Sequence, residues 1–116
     1  MRIEERIVGG VTILDLKGKL TLGDGDALLK DKIHSLLHQG HKHFLLNLGD
    51  VPYIDSAGIG EVVSTFSTVS REGGSLKLLN LTKRIHDLLA ITKLLTVFET
   101  FSAEAEAVRS FPSAAV

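Results

Sequence analysis

Between Phe44 and Arg71 the hydrophobic period of the chain changes once, and that change fixes most of what it can fold into. Phe44-Leu45-Leu46-Asn47-Leu48 is nearly all apolar, as a strand covered on both faces is. Gly49-Asp50 and Pro52 are turn formers. Beyond them Ile59, Val62, Val63, Phe66 and Val69 recur every three or four residues, which lays one apolar stripe along one helix. The segment reads as strand, turn, helix, with Asp55 or Ser56 as the N-cap.

The flanking sequence follows the same grammar. Residues 3–8 and 11–16 are β-prone runs joined by Gly9-Gly10, the two-residue link of an antiparallel hairpin. Gly18 ends the second run. Residues 19–26 form a loop into a helix over 27–39, which Asp24 or Asp26 can cap and Gly40 stops. Leu29, Ile33, Leu36 and Leu37 are its apolar face. After Gly73-Gly74, residues 76–81 read as a strand, and Thr82 caps a short helix carrying Ile85, Leu88 and Leu89. Residues 96–99 read as a last, edge-like strand, and Ser102 starts a helix through Arg109. Pro112 onward reads as a frayed tail, so the expected domain spans 1–111 and the tail 112–116.

This order predicts an α/β domain: a mostly parallel five-stranded sheet that begins with an antiparallel hairpin and carries about four helices. Crossovers of one hand between neighbouring strands put their helices on the same side. Lys77 and Asn80 interrupt the apolar runs, as expected if part of one face meets solvent.

Composition narrows the chemistry. With 13 basic and 14 acidic residues the net charge is −1, so the totals give no field that would gather nucleic acid. There is no cysteine, which removes disulfides and thiolate metal sites and, with no export signal in Met1-Arg2-Ile3-Glu4-Glu5-Arg6, suits the cytoplasm. No apolar run approaches the roughly 18 residues of a membrane span, so no membrane insertion is expected. His34, His38, His41 and His43 lie close in sequence, yet without the glutamate of His-Glu-x-x-His they read as solvated residues around a helix end, and no metal or cofactor is expected. Gly23-x-Gly25 lacks the rest of a dinucleotide or P-loop motif. Ile54 stands where a nucleophile elbow needs glycine. An enzyme is not signalled.

What remains is Ser56 on the first turn of a helix, where backbone N–H groups lack intrahelical partners and the macrodipole is positive. Glycines 58 and 60 cost that turn about 1 kcal/mol each in helix propensity, which points to a close approach to the backbone. Asp55-Ser56-Ala57-Gly58-Ile59-Gly60, set behind the apolar strand and Tyr53-Ile54, resembles the signature of the STAS domains, and specifically of bacterial anti-sigma factor antagonists. Gly18-Lys19-Leu20, Leu46-Asn47-Leu48 and Gly73-Gly74-x-Leu76 extend the likeness along the chain.

The resemblance implies a transcription regulator that works by partner switching. The serine matching Ser56 is phosphorylated by the anti-sigma factor, itself an ATP-dependent serine kinase, and a serine phosphatase reverses the step. The unphosphorylated antagonist binds the kinase and frees sigma. Transferred to this sequence, Ser56 is the phosphoacceptor and Asp55 positions it. Thr21, Leu22 and Asp24, with Ala57, Gly58, Ile59 and Gly60, form the surface that receives the partner. The expected state is a monomer or weak homodimer. Many such antagonists carry aspartate where this chain has Thr21, so Thr21 is a second candidate hydroxyl, with Asp24 a partial substitute. Two rival roles remain: a scaffold subunit of a stress-signalling or membrane-transporter complex, and a module that binds a nucleotide or anion at the 58–60 turn.

Overall fold

The hairpin expected at Gly9-Gly10 forms: β1 (Arg2–Val8) pairs antiparallel with β2 (Val11–Lys17), Arg2 opposite Lys17 and Val8 opposite Val11. This computed structural model describes residues 1–112; beyond Pro112 the expected tail lies outside the described residues. The chain continues through α1 (Asp26–His38), β3 (His43–Asp50), α2 (Ser56–Arg71), β4 (Ser75–Leu79), α3 (Lys83–Ile91), β5 (Thr100–Phe101) and α4 (Glu104–Arg109). The strands stand in the order β1-β2-β3-β4-β5, parallel from β2 onward. Each crossover therefore joins adjacent strands through one helix, as the alternation requires.

Strand period two divides the core into layers. Leu14, Leu16, Phe44, Leu46, Leu48, Leu76 and Leu78 pack on one side with Leu29, Ile33 and Leu36 of α1, Val62 and Val69 of α2, and Ile85 and Leu89 of α3. The three crossover helices share that side, as predicted. Helix α4 does not. It lies on the opposite face, where Ala107 and Phe111 pack with Ile13, Leu45 and Leu79.

This second layer corrects the reading of Lys77 as a solvent-facing interruption. Lys77 is 8% exposed: its Nζ donates to Ser110 O (2.9 Å) and Oγ (3.0 Å), pairs with Glu99 at 2.8 Å, and lies 4.6 Å from the centre of the Phe111 ring. Desolvating an ammonium is tolerated only with such complete pairing. On the same face runs a row of polar contacts. Arg6 binds Glu104 at 2.7 Å and Asp15 through two contacts of 2.6 and 3.0 Å. Asn47 donates to Asp15 at 2.8 Å, and Asn80 to Asn47 at 3.1 Å. The Arg6 guanidinium holds the Asp15 carboxyl below the ordinary aspartate range.

Several expected boundaries move. Gly49-Asp50 belongs to β3 and not to a turn, because Asp50 pairs with Lys17 and accepts the N–H of Gly18 at 3.1 Å. Residues 96–99 form a turn and a bend and not a strand, and the ladder shifts to Thr100–Phe101. Their β-prone side chains serve a different end, since Phe98 is buried and meets Phe66 edge to face at 5.0 Å. Neither aspartate caps α1. Its N-cap is Gly25, while Asp26 takes the N–H groups of Gly23 (2.9 Å) and Ala27 (2.8 Å). Helix α4 begins at Glu104, two residues after the expected start at Ser102, with Ala103 as its N-cap. His41 and His43 are half-buried rather than solvated, bonded to Thr12 (2.6 Å) and Ser75 (2.8 Å). Among the described residues no three His, Cys, Asp or Glu side chains converge as a metal set would, and no helix is long and apolar enough to cross a membrane.

Candidate functional site

Leu20 and Ile54 form a parallel bridge that extends the β2–β3 alignment beyond the strands, with Leu20 N–H donating to Tyr53 O at 3.0 Å and Asp55 N–H to Leu20 O at 3.4 Å. The loop after β2 is thereby laid against the start of α2. Asp55 is the N-cap: its extended backbone lets Oδ1 accept the N–H of Gly58 at 2.9 Å. Its other oxygen, Oδ2, accepts the N–H of Leu22 at 3.1 Å. These two bonds, that from Gly58 first, hold the Asp55 carboxyl below the ordinary aspartate value.

Ser56 is the first residue of α2 and is exposed. Of the residues expected around it, Leu22 is 76% exposed, Thr21 and Ile59 are half-exposed, and Gly60 is open with no neighbour within 4 Å of where a side chain would start. Ala57 is half-buried. Asp24 turns its carboxylate to the amino group of Met1 at 3.3 Å.

Gly58 departs from the expectation that its bareness serves a partner. It is buried, and a Cβ there would collide with the carbonyl oxygen of Leu20 and lie 2.8 Å from Ile54 Cγ1. The close approach inferred from the two glycines is made at 58 by the chain's own loop; at 60 the backbone is open.

One residue of the site, Arg84, was not singled out in the sequence. A cavity of about 340 Å³ beside Ser56 is lined by Tyr53, Ile59, Leu88, Thr92 and Arg84, whose guanidinium sits 4.5 Å from the centre of the Tyr53 ring. The readable signal was the pair Lys83-Arg84 opening α3, two cations at the positive end of a helix dipole.

Comparison with known proteins agrees with this geometry. The STAS domain family profile matches residues 2–107. An anti-sigma-B factor antagonist from Bacillus subtilis (strain 168) is 42% identical over 79 residues, 68% of this chain and 71% of that protein. The structure of the Bacillus cell fate determinant SpoIIAA in its phosphorylated form superposes with a TM-score of 0.73 at 19% identity, covering 93% of this chain and 97% of that one. An anti-sigma factor antagonist from Mycobacterium paratuberculosis superposes with a TM-score of 0.81 at 15% identity, over 95% and 92% of the two chains. At such identities the structures establish the fold alone. With the family profile spanning nearly the whole chain, and a relative of this identity beside it, the chain belongs to the STAS domain family.

Proposed function

We propose that this protein is an anti-sigma factor antagonist, a non-enzymatic cytoplasmic regulator that binds an anti-sigma factor serine kinase while Ser56 is unphosphorylated. Phosphorylation of Ser56 releases the kinase, and a serine phosphatase restores binding. The observation that carries this reading is the exposed Ser56 hydroxyl at the first position of α2, bordered by the exposed side chains of Leu22 and Tyr53. An exposed serine between such groups suits a residue that is alternately covered by a partner and modified.

Magnitudes support a switch without refolding. A phosphate adds about 1.5 to 2 negative charges and gains about 0.3 to 1 kcal/mol from the helix dipole. Covered by a docked protein and left unpaired, the same charge costs several kcal/mol, on the order of 3. The second effect wins. Since about 2.7 kcal/mol is a hundredfold in affinity, one phosphate suffices to end the complex. The test is intact-mass spectrometry after incubation with the cognate kinase and ATP. One added phosphate in the wild type and none in Ser56→Ala is expected; no addition in the wild type, or addition that survives the substitution, overturns the reading.

A further inference from the structure

We propose that Arg84, steadied on the ring of Tyr53, receives the phosphate of phosphorylated Ser56, so that the modified side chain folds over the neighbouring cavity and closes it. This rests on the reading of Ser56 as the phosphoacceptor and adds the group that holds the modified state. Three independent observations converge on it.

The first is placement. Ser56 from the start of α2 and Arg84 from the start of α3 line one cavity of about 340 Å³, together with Tyr53 and Leu88. The second is that the guanidinium is positioned but has no anion. It lies over the Tyr53 ring at 4.5 Å, and among the described residues no carboxylate comes within ion-pair distance of it. Its neighbour Lys83 is different, being paired with Asp87 at 3.0 Å. A stacked guanidinium keeps its N–H edge available, and that edge matches two phosphate oxygens.

The third is a local conflict. The first turn of α3 holds Lys83 and Arg84 and no acidic residue, which places positive charge at the positive end of the helix. Lys83 is offset by its pairing with Asp87, whereas Arg84 has no such partner among the described residues and stays open to an incoming anion. The one acid lining the cavity is Asp55, and its carboxylate is turned to the N–H groups of Gly58 and Leu22. A phosphate on Ser56 is thus repelled from the side of Asp55 and drawn toward Arg84.

The test uses the full chain with phosphoserine incorporated at position 56 during translation, so that no kinase is needed, and follows the second ionisation of the phosphate by phosphorus NMR. A guanidinium contact favours the dianion and lowers that pKa from its ordinary value of about 6. Arg84→Gln is expected to raise it by about half a unit or more relative to the phosphorylated wild type. Tyr53→Leu, which removes the support, is expected to raise it by less. Lys83→Gln, which removes an adjacent charge that does not line the cavity, is expected to leave it unchanged. Coincident titrations of wild type and Arg84→Gln overturn the proposal, as does an equal shift from Lys83→Gln, which would report a diffuse field and not a contact. Because the phosphate is installed without a kinase, a negative result here falls on Arg84 alone, whereas absence of enzymatic phosphorylation falls on the switch.

Discussion

The Asp55 carboxylate accepts the backbone N–H of Leu22, 33 residues earlier in the chain, while its other oxygen caps α2 at Gly58. One side chain therefore fixes both the helix that carries Ser56 and the loop that borders it. The folded pKa of Asp55 is depressed, so its contribution is present above the ordinary aspartate pKa of about 3.9 and is lost as pH falls through the lower folded value. The amide NMR signals of Leu22 and Gly58 are expected to titrate together with a single midpoint below that ordinary value. Asp55→Asn abolishes the titration. Movement of only one amide, or a midpoint at the ordinary value, would show that the two bonds are not shared by one carboxylate.

The glycines at 58 and 60, two residues apart on one helix, are expected to respond in opposite directions. Alanine at 58 meets the Leu20 carbonyl and Ile54, an overpacking cost of about 3 kcal/mol offset by about 1 kcal/mol of helix propensity. Net destabilisation of about 2 kcal/mol follows. Alanine at 60 meets nothing and is expected to stabilise by about 1 kcal/mol. Urea unfolding of both variants checks this, and a kinase-binding measurement on Gly60→Ala adds function: weaker binding by a more stable protein places Gly60 in the docking surface.

Glu61 sits on the second turn of α2, and its Oε2 is enclosed with no hydrogen-bond partner among the described residues. Burial pushes its carboxyl pKa up, against the attraction of Lys30 and His34 and with the repulsion of Asp26 and Asp31 on α1. A raised folded pKa means that the protonated form suits the fold; the charged form at neutral pH weakens it. Glu61→Gln is expected to stabilise the protein at pH 7 by less than about 1 kcal/mol, solvent reaching the rest of the side chain and screening the effect. The gain should shrink toward pH 4. Thermal unfolding at the two pH values reads it, and a gain independent of pH would assign the effect to something other than the charge.

The central strand, the α2 stripe and the capped junction at Asp55-Ser56 were legible because each depends on a short window of sequence: apolar run, three-and-four spacing, turn chemistry. What escaped depends on residues far apart in the chain. Lys77 reads as a surface residue until Ser110 and Phe111 return to cover it. Gly58 reads as bare for a partner until the Leu20 carbonyl is found against it. Residues 96–99 have the composition of a strand, yet Phe98 is drawn into contact with Phe66 and the pairing begins after it. Arg84 passes as one more surface cation until Tyr53 and Ser56 are found lining the same cavity.

The row Glu104–Arg6–Asp15–Asn47–Asn80 on the far side of the sheet works in one strand alignment only. A wholly oily surface would let β1 or β4 slide by two residues and still bury its side chains, whereas here any such slip strands a guanidinium or an amide away from its mate. The polar row thus favours the native register over its slipped alternatives, on the side opposite the three crossover helices.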